Sequence, residues 1–376
     1  MPAGEVFEIT YRGNYGGVNV AAPENIIPAT DTPFVDNFIF RNRELRTRPK
    51  LRSHIPGLLN NVPFGGLTSF LDSNNVVHTV GFAQTGVFQL NSNWPNVVSF
   101  GEPAWNQIGP FDDQDKVPNN PWAIVNSVNR LYFTNGSSRI YQWDGISNTI
   151  VTTTSICGGT FLVELDAHLL CLATTENVSG VVTNYPARVR WSQSANFAQF
   201  DPAVNPGAGF NDMLDVPDSI TGIMTIGRVG FVFRANGITE LVPVNRGTAP
   251  FDFNHLWASD RGIGNIYAQS IANYGSVGIF ISTDEIYQMG ISSFEEIGRN
   301  SLNAIMDDLA EAGPNVFAAI VPQWIKNFIY LVYLLTIQKS DGTSVIWMYA
   351  IRDKNWTRFT SKRGFPTAKF RHVISR

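Results

Sequence analysis

Six pairs of apolar strands, each pair joined across a polar turn, recur along this sequence. Glycine, asparagine, aspartate and serine occupy most of the turns, and β-branched and aromatic residues fill the runs beside them, which is typical of antiparallel hairpins. Asn135-Gly136 is a strong turn signal of this kind. The predicted pairs join residues 76–82 with 86–90, 130–134 with 139–143, 168–174 with 187–191 across a longer loop, 228–234 with 238–243, 276–282 with 285–289, and 327–337 with 344–351.

The pairs repeat with an irregular period near fifty residues. Their first residues are separated by 54, 38, 60, 48 and 51 positions, close to the length of a kelch-type propeller blade. Each pair follows another apolar run, and four are followed by one more, so that a repeat can supply the four antiparallel strands of a blade. The preceding runs are 67–71, 122–125, 160–165, 220–226, 269–272 and 316–321, and the following runs are 97–100, 150–154, 255–257 and 356–360.

These repeats predict an all-β chain that folds as a six- or seven-bladed β-propeller. A blade has two apolar faces, and radial stacking buries both of them against neighbouring blades. We expect residues 1–53 to form an N-terminal extension whose segment 34–40 closes the ring on the last blade. Residues 54–361 are then the propeller, and residues 362–376 a basic C-terminal tail. A large β-sandwich is the structural alternative.

One short helix is predicted near residues 300–312. Ser301 is a candidate N-cap, and Gly313-Pro314 is a stop signal. Asp307-Asp308 falls on the polar side, where we expect it to face solvent. Four apolar residues share the opposite face: Leu302, Ile305, Met306 and Leu309.

The chain carries little charge for its length. Charged residues make up 15% of it and hydrophobic residues 44%, which excludes a disordered protein. A surface rich in Asn, Ser, Thr and Gly suits a protein that packs against neighbours. With 27 basic and 31 acidic side chains the formal charge is −4, so no bulk cationic field draws the whole protein onto nucleic acid.

Features that would indicate a metal, redox or targeting role are few. Cys157 and Cys171 lie among apolar or small residues, and we expect buried, reduced thiols. The acidic loop 112–115 lacks the glycine and distal glutamate of an EF-hand and is interpreted as solvated. No secretory signal or membrane-spanning run is visible. The histidines share no metal-ligand spacing, so we predict structural roles and no cofactor; they are His54, His78, His168, His255 and His372.

Known catalytic motifs are not found. The sequence has no nucleophile elbow or P-loop, and Gly262-Ile263-Gly264 lacks the third glycine of a dinucleotide fingerprint. None of the six predicted turns has the Ser-x-Asp-x-Gly-x-Thr-Trp form of sialidase propellers. We therefore predict a protein that is not an enzyme, with a hydrolase whose active site is dispersed along the sequence as the alternative.

Two basic clusters are the candidate interaction sites. They are suited to contact with acidic surfaces of neighbouring subunits or with nucleic acid phosphates. Because the whole protein is mildly acidic, we favour an intersubunit contact by the first cluster over DNA; a solvated edge that prevents sheet aggregation is the other interpretation. The first cluster comprises Arg41, Arg43, Arg46, Arg48, Lys50 and Arg52, and the second Lys362, Arg363, Lys369, Arg371 and Arg376.

Short motifs mark the N-terminal region and the middle of the chain. They include a Gly-Gly-x-Asn stretch at 16–19, an Asn-x-x-Phe strand at 37–40, a Leu-Arg-x-Arg-Pro turn at 45–49, the run Arg188-Val189-Arg190-Trp191-Ser192 with its loop 196–200, and the strands 231–241 and 270–287. Together these motifs resemble the phage virion proteins of the tail nozzle or packaged-DNA stabilisation type, also described as tail hub proteins. The shared motifs are structural and mark blade geometry.

The resemblance implies a β-propeller subunit of a multimeric ring in the tail or neck of a bacteriophage, where it helps to retain and later conduct the genome. Expected partners are copies of itself and other tail or neck proteins, with transient, non-specific contact with phage DNA and no membrane insertion. The expected location is the virion tail, after synthesis in the host cytoplasm. The alternative is a tail propeller that binds a host glycan or surface protein through exposed aromatic residues such as Trp94, Trp105 and Trp122.

Overall fold

A computed structural model gives the fold of the chain. Five short strands precede residue 48: β1 (Thr10–Arg12), β2 (Gly17–Val18), β3 (Asp31–Thr32), β4 (Phe38–Arg41) and β5 (Glu44–Thr47). They form one sheet in the order β1-β5-β4 and one parallel pair, β2-β3. Besides the backbone of these strands, the structure describes residues 64–91, 105–110, 122–127, 129–147, 150–153, 156–215, 218–244, 249–256, 263–298, 301–325, 328–341 and 343–361.

Residues 64–212 form three four-stranded antiparallel sheets, each made of four consecutive strands. Blade 1 contains β6 (Phe64–Leu71), β7 (Val77–Ala83), β8 (Gly86–Leu90) and β9 (Trp105–Pro110); blade 2 contains β10 (Ala123–Ser127), β11 (Arg130–Thr134), β12 (Tyr141–Trp143) and β13 (Val151–Thr152); blade 3 contains β14 (Cys157–Leu165), β15 (His168–Val178), β16 (Val181–Trp191) and β17 (Gly209–Asp212).

Residues 220–361 form three more sheets with the same meander, and one helix connects the last two. Blade 4 contains β18 (Ile220–Ile226), β19 (Val229–Arg234), β20 (Gly237–Pro243) and β21 (Phe251–His255); blade 5 contains β22 (Ala272–Tyr274), β23 (Val277–Ile281), β24 (Ile286–Met289) and β25 (Phe294–Glu296); the helix is α1 (Leu302–Ala310); blade 6 contains β26 (Ala312–Ile325), β27 (Phe328–Lys339), β28 (Ser344–Ala350) and β29 (Asn355–Ser361).

The described sheets are arranged radially. The first strand of each blade lies beside the first strand of the next, from β6 through to β26, so the first strands surround the centre. Apolar clusters bridge each successive pair of blades from the first to the sixth. The chain is a six-bladed β-propeller over its described residues, as the repeats predicted, and the β-sandwich alternative was wrong because the sheets do not form two layers.

Aromatic side chains fill the spaces between blades. Phe82 of blade 1 lies 5.6 Å from the ring of Trp122 and 4.9 Å from that of Phe133 in blade 2. Phe233 and Phe280 meet at 4.8 Å between blades 4 and 5. Each pair is fully desolvated, which is how a blade that could not fold alone is stabilised by its neighbours.

The N-terminal strands do not add a fifth strand to the last blade. The backbone of β4 and β2 lies beside β29, but β4 is hydrogen bonded to β5 in a separate sheet. The expectation that segment 34–40 closes the ring on the last blade stays a prediction: the described residues 38–40 contact β29 but pair only with β5. Blade 6 already obtains its four strands from residues 312–361.

The helix agrees with the prediction except at its C-terminal end. Ser301 occupies the N-cap position, although its side chain makes no capping hydrogen bond. The helix ends at Ala310, and Gly313-Pro314 belongs to β26, where the register of pairing with β27 shifts between Ala312 and Val316. Proline is tolerated within a strand at such an irregularity, since no ladder hydrogen bond is lost there.

Candidate interaction surface

The candidate surface lies on the face of the propeller where the first strand of each blade begins. We name this the upper face; the first strands are β6, β10, β14, β18, β22 and β26. Because each blade is an antiparallel meander, the fourth strands end at this face and the turns between second and third strands lie on it. Residues 1–63 and 362–376 are both attached to the propeller here, since β6 begins and β29 ends at the upper face. The sequence segments that contain the basic clusters therefore precede and follow the described blades at this face.

Only part of the first basic cluster falls within the described residues. Arg41 lies in β4 directly opposite Glu44 of β5. Arg46 lies in the central strand of the three-stranded sheet, between Thr10 and Ile39. The contact residues Arg43, Arg48, Lys50 and Arg52 and the whole second cluster, including Lys362, lie outside the described residues, and their role stays a prediction.

Blades 5 and 6 present exposed carboxylates on the upper face, and we name this the acidic patch. It comprises Asp284 in the turn before β24, Asp307 on the outer side of α1, Glu311 just after α1, and Asp341 in the turn before β28. The backbone amide of Ser340 donates to the carbonyl of Glu311, which joins the helix to that turn. Ser361, the last residue of β29, pairs with Ser344 beside the same turn. The end of β29, after which the second basic cluster follows in the sequence, therefore lies next to the acidic patch.

Asp308 anchors the helix that carries this patch. It is 4% exposed and not solvated, so the prediction for this residue was wrong. Its carboxylate accepts hydrogen bonds from Trp347 Nε1 at 2.8 Å and from Arg358 Nε and Nη2 at 2.9 and 3.0 Å, and Lys339 Nζ lies 2.8 Å away. Burial alone would raise the pKa of Asp308, but the hydrogen bonds from Arg358, Lys339 and Trp347 outweigh it and lower the pKa below its usual value.

Charge is strongly segregated along the chain. Residues 54–361 contain 25 acidic and 15 basic side chains, a formal charge of −10. Residues 362–376 contain five basic side chains and no acidic one, and residues 41–52 contain six basic side chains and one acidic. The formal net charge of −4 is therefore distributed unevenly: the propeller is acidic, and the segments before and after it contain the two basic clusters.

A hairpin of blade 3 also lies on the upper face. The sequence predicted a longer loop and a strand beginning at Ala187, whereas β15 and β16 continue to a two-residue turn at Ser179-Gly180. Both turn residues have left-handed backbone conformations, with φ of 54° and 87°, as in a type I′ turn. Three valines at the tip are exposed by 55%, 66% and 58%: Val178, Val181 and Val182. The Ser-Gly dipeptide between valines was the sequence signal that could have located this turn.

An ion-pair network connects the strands at the base of this hairpin. Arg188 donates to both carboxylate oxygens of Asp212 at 2.6 and 2.7 Å, and Arg190 donates to both of Glu176 at 3.0 and 3.1 Å. The guanidinium of Arg188 stacks 3.6 Å above the ring of Tyr185. The hydrogen bond from Arg188 lowers the pKa of Asp212, so Arg188 has an ionised partner at neutral pH.

The residues weighed for metal, redox or ligand chemistry have structural partners. His78 Nε2 lies 3.0 Å from Asp72 Oδ2, and His168 Nδ1 lies 2.7 Å from the carbonyl of Ser192, which confirms the structural prediction for these two histidines. Cys157 and Cys171 are free and buried, as predicted. Burial raises the pKa of the Cys171 thiol, and the adjacent Cys157 raises it further. Among the described side chains, no three His, Cys, Asp or Glu are grouped so as to hold a metal ion.

The aromatic residues suggested for host recognition are not exposed where the structure describes them. Trp122 is 3% exposed within the core between blades 1 and 2, and Trp105 is 6% exposed. Trp94, His54, His372 and the acidic loop 112–115 lie outside the described residues. The expectation of exposed aromatic residues was therefore wrong for Trp105 and Trp122. Trp122 is buried because its ring packs against Phe82 and Phe133 between blades 1 and 2.

A cavity of about 580 Å³ lies at the centre of the propeller. The first strands of blades 2 to 6 and residues 268–271 line it, with no charged side chain among the lining residues. Ile124, Phe161, Ile223 and Phe317 are typical of this lining. The volume is in the range of small-molecule pockets. A cube of this volume is about 8 Å on each side, whereas the major groove of a nucleic acid duplex alone is about 12 Å wide, so the cavity is too small for a duplex.

Comparison with known proteins gives similarity of fold alone. No family model matches the chain, and no curated protein sequence matches it. Among solved structures, BamB from Moraxella catarrhalis matches with 10% identity over 83% of this chain and 85% of that chain, at a TM-score of 0.36. The N-terminal domain of Nup159 matches with 9% identity, 86% and 83% coverage and a TM-score of 0.40. AofleA from Arthrobotrys oligospora matches with 10% identity, 82% and 88% coverage and a TM-score of 0.37. Similarities this distant carry no argument about function. No helix in the described part of the chain is long and apolar enough to cross a membrane.

Proposed function

We propose that this chain is a non-enzymatic structural protein of a bacteriophage virion, a propeller subunit of a multimeric ring in the tail that helps to retain and conduct the genome. The short motifs described above support the family. The observation that carries assembly is the segregation of charge: an acidic propeller of formal charge −10 with two basic segments attached to its upper face.

This arrangement suits a head-to-tail contact. A basic segment of one subunit meets the acidic patch of the next, and a heterologous contact of this kind generates a ring when the rotation closes. Electrostatic complementarity of such surfaces directs association and fixes the register of the subunits. Asp284, Asp307 and Asp341 present exposed carboxylates for it on one subunit; Tyr287 and Thr343 donate hydrogen bonds from neutral hydroxyl groups to Asp284 and Asp341. Glu311 is already paired with Lys339.

The genome would pass through the opening of the ring and not through a single propeller. The central cavity of about 580 Å³ is too small for a duplex and has an uncharged lining. A basic segment engaged with a neighbouring subunit has its charge neutralised, so that DNA meets little exposed cationic surface and slides without sticking. Contact with DNA is then transient and non-specific.

A charge-swap experiment tests the ring contact. Arg46→Glu with Arg48→Glu should abolish oligomers in light scattering at low salt while the monomer stays folded, and Asp307→Lys with Asp341→Lys should do the same. Combining the four substitutions should restore assembly. Arg228→Glu is the charge-reversal control: this side chain is 82% exposed on the opposite face, and the substitution breaks an exposed ion pair with Asp166 away from the proposed contact. Normal assembly of both double variants would overturn the contact, and failure to find the protein in purified tails by mass spectrometry would overturn the function.

A further inference from the structure

The outer edge of β16 near the hairpin tip has no strand beside it within the described residues. On this side β17 pairs with residues 188–191 only, and the amide of Met213 donates to the carbonyl of Ala187. Residues 181–185 pair with β15 alone among the described strands, on the inner side. Val182, Thr183 and Asn184 are exposed, so no part of the chain that the structure describes covers this edge.

The turn determines which backbone groups point outward. In a two-residue hairpin the residues that close the turn, here Val178 and Val181, exchange hydrogen bonds with each other. Direction then alternates along the strand, so Val182 and Asn184 direct their N–H and C=O groups to the free edge. Pro186, the next residue in this series, has no N–H to donate, which ends the series.

This edge is complementary to itself in an antiparallel register centred on Thr183. Val182 then lies opposite Asn184 of a second copy, and Asn184 opposite Val182, which forms four backbone hydrogen bonds. Thr183 meets its own equivalent, and Val181 meets Tyr185. Threonine pairs and pairs of aromatic with β-branched residues are among the cross-strand pairs that stabilise a sheet.

Charge favours a second copy as the partner. Residues 177–187 contain no charged side chain, so two identical edges meet without charge repulsion. Natural proteins protect exposed edges with lysine, bulges or covering loops. Residues 181–185 have no lysine and no bulge, and no loop among the described residues covers them. We propose that the β16 edge pairs with the same edge of a second copy about a twofold axis at Thr183, which continues the sheet of blade 3 into an eight-stranded sheet.

This inference goes beyond the proposed ring. A twofold contact uses the same surface on both copies and joins only two of them, whereas a ring requires a head-to-tail contact through two different surfaces. The pairing therefore adds a second interface, for example between two rings or between two free subunits. It depends on the geometry of the hairpin and not on the phage assignment.

Disulfide cross-linking at Thr183 tests the register of the proposed pairing directly. Cα atoms of a non-hydrogen-bonded antiparallel pair lie about 4.5 Å apart, within the range that a disulfide bridges. Under mild oxidation Thr183→Cys should form a covalent dimer on non-reducing gels, since the native Cys157 and Cys171 are buried. Val204→Cys is the control, 71% exposed on the opposite face, and should cross-link at least about tenfold less. Equal cross-linking of the two variants would overturn the register.

A proline scan separates pairing from folding. Val182→Pro removes an outward N–H that β15 does not use, so the monomer should keep its circular dichroism and thermal transition while the dimer dissociates about tenfold more readily in light scattering. An unchanged dimer would overturn the proposal. If this variant unfolds, Val182→Lys provides the same comparison through charge repulsion. Loss of the ring in the Arg46→Glu and Arg48→Glu variant should leave Thr183→Cys cross-linking intact, so failure of the ring and failure of this pairing are distinguishable.

Discussion

Removing the carboxylate of Asp308 should destabilise the protein by about 3 kcal/mol at neutral pH. Asp308→Ala leaves the indole N–H of Trp347, 1% exposed, without its acceptor, and it leaves Arg358 and Lys339 without their shared anion. Breaking a buried charge pair costs about 3–5 kcal/mol. We expect the lower end, because the Arg358 and Lys339 side chains are 22% and 15% exposed and reach water after the substitution.

The pH dependence of this loss has a definite sign. Because the folded-state pKa of Asp308 is lowered, its contribution to stability is fully present above the unfolded-state pKa of about 3.9 and disappears as the pH falls through the folded value. The alanine variant has no such group. The difference in unfolding free energy between wild type and Asp308→Ala should therefore be constant from neutral pH down to about pH 5 and shrink below about pH 4.

Urea unfolding followed by tryptophan fluorescence measures the effect. With a slope of about 3 kcal/mol per molar urea, the midpoint should fall by about 1 M. Asp307→Ala is the matched control: the neighbouring carboxylate is exposed on the same helix, and its removal should change stability by less than about 0.5 kcal/mol. Equal midpoints for the two variants, or a difference that persists at low pH, would refute the assignment of Asp308 as the anchor of α1.

Two further predictions concern other positions in the core. A Cβ at Gly158 would lie 2.1 Å from the carbonyl oxygen of Ser137 in blade 2, so Gly158→Ala should lower the free energy of unfolding in urea by about 1–3 kcal/mol. Gly237→Ala, where the nearest atom to the added Cβ is 3.7 Å away, should lower it by less. Similar losses at both sites would contradict the close approach of blades 2 and 3. Cys157 and Cys171 should not react with a thiol reagent in the folded protein, since both are buried and burial raises the pKa of Cys171. Both should react in urea. Rapid labelling of the native protein would show that the space between blades 2 and 3 is open.

The blade repeat was predictable because its signals are local. Strands β8 (Gly86–Leu90), β11 (Arg130–Thr134) and β18 (Ile220–Ile226) have the predicted bounds, since the turn residues that limit them are adjacent in sequence. The fourth strands were poorly predicted: β17 and β25, three or four residues long, were missed, because a short outer strand buries little and has a weak apolar pattern.

The candidate surface could be predicted only in part. The basic clusters are visible in the sequence, but the acidic patch is not, because Asp284, Asp307 and Asp341 are brought to one face by the parity of the strands and not by proximity along the chain. Helical periodicity places Asp308 beside Asp307 on the polar side of the helix, so the sequence predicts that both face solvent. The burial of Asp308 depends on Trp347 and Arg358, which lie 39 and 50 residues away.

The sequence by itself determined that the chain folds into repeated antiparallel hairpins and that its charge is concentrated in two basic segments, because alternation, turn chemistry and composition are properties of neighbouring residues. Only the tertiary structure decided that the six described sheets are arranged radially with a small cavity lined by blades 2 to 6, that the acidic patch lies on the face where the blades begin and end, and that no described strand pairs with the outer edge of β16 near the tip of the blade 3 hairpin. These features depend on contacts between residues far apart in the sequence, and no local pattern encodes such contacts.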